Sequence, residues 1–228
     1  MLMIQYTHED VNRIFMQNQQ NFLDPWNPLE SFPCCYRNAS DLHFYPVHDR
    51  RFCQQNPLTL IKNQVPGYTT ALGTQSSAAT IPVNLQCAEA DGVCSQIRNF
   101  VVPLCANIHM AGSMITITAC ATAVCLMNQL PISLATVIPF IMTLGIAMVA
   151  SPGAPGGSIM TALPFLYMVF GAEAGDPEGA ICAIMVALYI TQDSFGTACN
   201  ISGDNAIGII VDTIYKKFIL KTPQPQEN

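Results

Sequence analysis

The chain has 228 residues, half of them hydrophobic and only 11% charged, with a formal net charge of −6. Ordinary soluble domains carry about 25% charged residues, and an acidic chain with no basic patch has nothing to neutralise a phosphate backbone, which argues against a nucleic-acid partner. The ten cysteines include no CxxC pair, which argues against a structural zinc. Cys105, Cys120, Cys125, Cys182 and Cys199 fall within apolar runs, where a thiol behaves as a small hydrophobe.

Residues 1–55 are polar and aromatic with no clear period. "FPCCYRNASDLHFYPVHDRRFCQQ" reads as neither helix nor strand, and its Cys and His spacing fits no metal site. This segment is expected to be poorly ordered or foreign to the rest of the chain. "NAS" at Asn38 is a formal glycosylation sequon, a triplet common by chance. The first 30 residues hold "HEDVNR" and "QNQQN" where a signal peptide would need an apolar core.

Order of another kind begins at Asn56. "NPLTLIKNQVPGYTTALG" is a moderately apolar helix, "TQSSAAT" a tip of small and hydroxyl residues, and "IPVNLQCAEADGV" a second short helix. Helix, small-residue tip, helix is the pattern of a re-entrant hairpin, here hairpin one, 56–92. A broken helix comes next over 98–128, interrupted by "NIHMAGS", where polar groups and a glycine invite unwinding. The arrangement then recurs. "PISLATVIPFIMTLGIAMVA", the Pro/Gly tip "SPGAPGGS" and "IMTALPFLYMVFG" form hairpin two, 130–171, and a polar helix covers 177–217. Residues 222–228 are a tail.

From Asn99 to Ala172 there is no Asp, Glu, Lys or Arg. Phe100–Met127 and Leu130–Ala150 approach or exceed the roughly 20 residues that span a bilayer. The sequence therefore predicts an all-α membrane protein. It has two re-entrant hairpins and two transmembrane helices, one broken, arranged as an inverted repeat of the kind seen in transporters. An ordinary pair of membrane helices with flexible loops is the plainer alternative. Lys62, Arg98, Lys216, Lys217 and Lys221 cluster at segment ends, whereas "GAEAGDPEG" carries only acids. The positive-inside rule puts the lysine-bearing ends and the C-terminus in the cytoplasm. The two hairpin tips then enter from opposite sides and meet near the midplane.

The polar helix carries the chemistry. At about 100° per residue, Asp193, Thr197, Asn200 and Asp204 lie at about 0°, 40°, −20° and 20°, one stripe roughly 60° wide. An ionised carboxylate at bilayer depth costs at least about 2.5–3.5 kcal/mol. Two on one stripe imply a polar cavity that binds positive charge. The alternative is that Asp204 snorkels near the helix end while Asp193 caps a kink. Small residues in the two tips allow close backbone approach to a ligand. The half-helix N-termini after those tips favour an anion.

"GTQSSAATIPV", "ANIHMAGS", "SPGAPGGSIM" and "DSFGTACNISGD" resemble, in order, four motifs of the dicarboxylate/amino acid:cation symporters, the glutamate transporter family. The resemblance runs from Asn56 to about Lys217 and makes 56–221 a partial transport domain. It implies that Ser76 and Ser77 line the substrate site. Asp193 would hold the substrate amino group, and Thr197 and Asn200 would grip the substrate, Asn200 through its α-carboxylate. Gly153 and Ala154 belong to the gating tip. Asp204 would ligate sodium, with Asn200, Asn107 and the backbone around His109 nearby. The broken-helix motif usually reads Asn-Met-Asp-Gly-Thr and here reads His109, Met110, Ala111, Gly112, Ser113, with Ser113 counted among the substrate residues. Loss of the aspartate implies fewer coupled sodium ions. His109 is read either as a proton carrier or as a hydrogen-bonded helix histidine. Acidic-substrate members carry an arginine where this chain has Gly196, so a neutral amino acid is expected in preference to glutamate or aspartate.

The implied function is symport of an amino acid or dicarboxylate with sodium or protons, without an organic cofactor. The implied setting is the inner (plasma) membrane, among lipid, with a homotrimer expected of full-length relatives. Such relatives place six helices before the first hairpin. The expectation for this chain is a C-terminal half from a truncated, frame-shifted or split gene, either a symporter fragment or a membrane remnant that binds without moving substrate. An enzyme is not expected, because "SSAAT" has no base beside its serines.

Overall fold

A computed structural model describes residues 57–171 and 179–220, all helical or connecting turn. The N-terminal segment with its Asn38 sequon, most of the acidic loop, Lys221 and the tail lie outside the described residues. In chain order the elements are α1 (Pro57–Thr74), α2 (Ser77–Ala90), α3 (Ser95–Ile108), α4 (Ala111–Met127), α5 (Leu134–Met148), α6 (Gly157–Ala162), α7 (Tyr167–Phe170) and α8 (Ala180–Ile214). Two stretches, Ser95–Cys125 and Ala180–Ile219, are long and apolar enough to cross a bilayer.

The breaks have local causes. α1 and α2 are separated by Gln75 and Ser76. Gln75 adopts a positive φ of 51°, and Ser76, extended at φ −137° and ψ 112°, caps α2 by accepting the Ala79 amide. This is the serine N-cap that a helix start favours. α3 ends at His109, whose backbone is non-helical at φ −103° and ψ 88°, and α4 begins two residues later. Hydroxyls along α4 fold back onto their own helix: Thr116, Thr118 and Thr122 donate to the carbonyls of Gly112, Met114 and Thr118. These bonds satisfy polar groups without water.

The apolar second arm of hairpin two is not one continuous helix. It is α6, a 3₁₀ turn Leu163–Phe165, and then α7. Pro164 lies in that turn, and proline lacks the amide an α-helix interior needs. The polar helix runs unbroken from Ala180 to Ile214, with a π turn over Tyr215–Ile219 after it; Pro177 lies outside the described residues.

α8 is the spine, and each half has its own apolar packing. Met185 and Tyr189 pack with Ile117, Phe140, Leu144 and Ile159, joining α4 and hairpin two. Ala206 and Ile209 pack with Leu60, Ala88, Val93 and Val102, joining hairpin one and α3. The stretch of α8 between these two clusters carries the polar stripe. On the outside, Leu134, Ile138, Met142 and Ile146 form an exposed row along α5, with Ile146 78% exposed. Phe100, Leu104 and Ile108 form another along α3. Contiguous apolar faces of this kind suit lipid or protein rather than water.

Candidate functional site

All four predicted stripe residues are buried: Asp193 is 4%, Thr197 3%, Asn200 1% and Asp204 0% exposed. Neither carboxylate turns outward, so the snorkelling alternative for Asp204 fails. The two aspartates have different surroundings.

Asp193 is held from three sides. Its Oδ1 accepts the Tyr189 hydroxyl at 2.8 Å and, more weakly, the Thr197 hydroxyl at 3.4 Å. Its Oδ2 accepts the backbone amide of Gly156 at 3.1 Å. Gly156 sits in the tip of hairpin two with φ +70°, a conformation that glycine adopts at no steric cost. The same tip meets hairpin one. The Gly153 carbonyl accepts the Ala78 amide at 3.0 Å and the Ser76 hydroxyl at 2.8 Å. A Cβ on Gly153 would stand 2.5 Å from the Ala106 carbonyl oxygen, so only glycine lets the tip approach α3 this closely. Ser76 and Ser77 are buried beside this junction, whereas Ala154 is exposed. Gln75 completes the closure, donating to the Ser194 hydroxyl at 2.9 Å and the Ile190 carbonyl at 3.3 Å. The two tips and the upper stripe of α8 thus form one polar junction.

Asn200 lies across the start of α4. Its Oδ1 accepts the amides of Gly112 at 2.8 Å and Ser113 at 3.4 Å. Its Nδ2 donates to the Ser113 hydroxyl at 2.9 Å. The first amides of a helix have no partner of their own, and a side chain from α8 supplies one here. Four residues on, Asp204 Oδ1 meets His109 Nδ1 at 2.9 Å. Asp204 Oδ2 is buried with no hydrogen-bond partner among the described residues. An orphaned carboxylate oxygen beside an unwound helix is what a desolvated cation requires, since leaving such an atom unpaired is costly. The residues present therefore fit a sodium ion at Asp204. Asn107, counted with this group by resemblance, stands apart: it is exposed and donates back to the Pro103 carbonyl of its own helix at 3.1 Å.

Sequence reasoning missed Tyr189, which is fully buried. Its offset of −4 from Asp193 puts it on the same stripe, but a tyrosine in an apolar run reads as core. It also missed a second polar cluster below Asp204. Asn205 donates to Gln64 Oε1 and Asp91 Oδ2, both at 2.6 Å. Asn63 donates to Asp91 Oδ1 at 2.9 Å, and Gln64 donates to Asn84 Oδ1 at 3.1 Å. Desolvation raises the pKa of Asp91 above its ordinary value, against the opposing pull of the Asn63 and Asn205 donors. This cluster ties hairpin one to α8. Beside it, Lys216 pairs with Asp212 at 2.6 Å and donates to the Gly92 carbonyl at 3.1 Å, so the basic end of α8 and the base of hairpin one share one end of the molecule.

A broken helix and two helical hairpins converging on buried carboxylates define a membrane protein with an internal polar site. The family model of the sodium:dicarboxylate symporter family matches residues 42–214, beginning inside the polar N-terminal segment. The chain belongs to this sodium:dicarboxylate symporter family. It is 33% identical over 147 residues to the serine/threonine transporter SstT of Acinetobacter baylyi, an overlap covering 64% of this chain and 36% of that protein. It is 34% identical over 143 residues to the serine/threonine transporter SstT of Acinetobacter baumannii strain ATCC 17978, covering 63% and 35%. The chain thus spans about a third of the length of the curated relatives it matches.

Proposed function

We propose that this chain forms the ligand-binding part of a secondary active symporter for a small neutral amino acid, driven by sodium. In this reading Asp193 receives the substrate ammonium group, with Thr197, Asn200, Ser113, Ser76 and Ser77 around it. Asp204 holds the coupling ion through the oxygen that lacks a partner, with the carbonyls beside His109 and the Asn200 amide completing the polar wall. Hairpins one and two are re-entrant and related as an inverted repeat, and Gly153 and Ala154 belong to the part that opens. The carrying observation is the pair of buried carboxylates of α8, Asp193 at the tip of hairpin two and Asp204 at the break after α3, in a fold with exposed apolar rows along α3 and α5.

Two observations favour a neutral substrate. The similar proteins are serine/threonine transporters by name. Gly196 also faces α4 at close quarters: a Cβ there would lie 2.9 Å from the Thr116 hydroxyl and 3.4 Å from the Gly112 backbone. A side chain at Gly196 would have to displace the Thr116 hydroxyl, and the glycine itself offers no cation to a substrate carboxylate. The shared end of Lys216 and Gly92 supports a cytoplasmic C-terminus under the positive-inside rule, with the protein in the plasma (inner) membrane.

The test is equilibrium binding of labelled L-serine to the lipid-reconstituted chain, with unlabelled competitors. Threonine should displace serine and aspartate should not. Displacement by aspartate at lower concentration than threonine would remove the neutral-substrate reading.

A further inference from the structure

We propose that hairpin one and α8 hold a second cation site, built from Asp91, Gln64 and Asn205 and separate from Asp204; it stands independently of the role given to Asp204. Asp91 closes α2, Gln64 lies on α1 and Asn205 on α8. All three are buried, at 4%, 4% and 2% exposed. Asn205 Nδ2 donates to Gln64 Oε1 and to Asp91 Oδ2, both at 2.6 Å. The second polar atom of the same amide, Oδ1, is buried with no hydrogen-bond partner among the described residues. The other such oxygen belongs to Asp204, the residue before it. Consecutive residues of a helix point about 100° apart, so the two unsatisfied oxygens serve different places.

A cluster held only by amide bonds leaves the Asn205 oxygen unexplained, because an unpaired buried acceptor bears its full desolvation penalty. The bonds beside it are also short. At 2.6 Å they fall under the usual N–H···O range of about 2.7–3.2 Å. They match the distances of about 2.3–2.6 Å at which oxygens hold a hard cation such as calcium. A cation at the Nδ2 position would meet both oxygens at ligand distance. The terminal torsion of asparagine is broad and nearly twofold, so the amide turns readily. Turning it withdraws Nδ2 and brings Oδ1 in as a third ligand. Asp91 supplies the charge, which the neutral amides of Asn63 and Asn205 stabilise without cancelling. One carboxylate with two amide oxygens suits a hard ion such as sodium rather than a soft transition metal. The way in is short. Half-buried Asn63 bridges the Ala90 carbonyl and Asp91 Oδ1 at 3.2 and 2.9 Å, and Ala90 and Gly92 on either side of Asp91 are exposed. Lys216 at this end is held by Asp212 and the Gly92 carbonyl. An ion bound here joins α1, α2 and α8 and clamps the base of hairpin one to the helix that carries the stripe.

Chemical unfolding of the chain in detergent tests this, with sodium chloride compared against choline chloride at equal ionic strength and at one pH above the carboxylate range. The starting variant is Asp204→Asn, which removes the charge of the other site. Sodium should still raise its unfolding midpoint, since an ion that binds only the folded state stabilises it. Adding Asp91→Asn should abolish that rise, and adding Asn205→Leu should do the same. Each comparison is between two salts in one variant, so a lower baseline from lost hydrogen bonds cancels. A sodium response that survives both substitutions would overturn the proposal, and so would no response in Asp204→Asn. A midpoint that follows pH but not sodium would give the place to a proton and overturn it equally. Should the double variants fail to fold, hydrogen–deuterium exchange on the lipid-reconstituted wild type and Asp91→Asn decides. With sodium at about ten times its Kd, exchange over residues 88–93 should slow by about tenfold in the wild type and stay unchanged in Asp91→Asn. Equal slowing in the two proteins, or none in either, would contradict the site. Exchange over residues 109–113 reads the Asp204 site separately, so failure of either assignment shows without the other.

Discussion

Gly112 and Gly196 face one another where α4 meets α8, and a side chain at Gly112 has far less room than one at Gly196. A Cβ on Gly112 would overlap the Gly196 carbonyl oxygen and crowd Cys199 Cβ at 2.7 Å, whereas a Cβ on Gly196 would meet only the rotatable Thr116 hydroxyl closer than 3 Å. Two helices packed backbone to backbone bring Asn200 within reach of the first amides of α4, so the contact positions the site as well as the fold.

Gly112→Ala should therefore be the damaging substitution of the two. Overpacking against backbone costs about 1–3 kcal/mol, and the Asn200 bonds to Gly112 and Ser113 should lengthen with it. Gly196→Ala should be milder, because Thr116 can turn aside. Chemical unfolding of the two variants in the same detergent should rank them in that order; equal midpoints would show that the helices separate easily.

The cluster beneath the site makes a separate forecast. Asp91→Ala removes one of the two acceptors of the buried Asn205 and of the neighbouring Asn63, which should cost about 1–3 kcal/mol. The pH dependence has a definite sign. Burial raises the pKa of Asp91 in the folded chain, so the folded state binds this proton more tightly than the unfolded state. Its contribution to stability is present at low pH and is lost as pH rises through the raised pKa. The wild-type unfolding midpoint should fall as pH climbs out of the ordinary carboxylate range, and Asp91→Asn should lack that component. A wild type whose midpoint rises over the same interval would contradict the assignment.

At the upper site, Asp193→Asn keeps size and shape but removes the negative charge an ammonium group needs. Serine binding should weaken by at least about tenfold, since a charge-assisted hydrogen bond is worth about 1.5–3 kcal/mol. Thr197→Val removes only a 3.4 Å contact to the same carboxylate and should have the smaller effect. Reversal of that order would move the ammonium site away from Asp193.

How much of this was legible in the sequence depended on how each residue acts. Asp193 and Asp204 stood out because carboxylates in an apolar helix demand an explanation, and helical periodicity alone placed them on one face with Thr197 and Asn200. The break at His109 and both tips announced themselves through small and polar residues in apolar surroundings. The bend at Pro164 in hairpin two and the bond from Tyr189 to Asp193 did not. Proline is common near membrane helix ends, and a buried tyrosine looks like any large apolar residue until its hydroxyl has partners. Asn200 as a cap for α4, the Gly112–Gly196 contact and the Asn205 cluster were equally hidden. Each joins residues far apart in the chain, and no local pattern encodes which distant amide or carboxylate will be opposite. The isolated position of Asn107 has the same origin: its neighbours in sequence lie near the site, while its own side chain points back along α3.

The central claim is that the buried carboxylates of α8 bind positive charge, and it is tested most directly at the atom that lacks a partner. Labelled L-serine binding to the reconstituted chain should be measured against sodium concentration in the wild type and in Asp204→Asn. The account predicts that serine affinity rises with sodium in the wild type and that the dependence shifts to much higher sodium or vanishes in the variant. Identical sodium curves for the two proteins would contradict it.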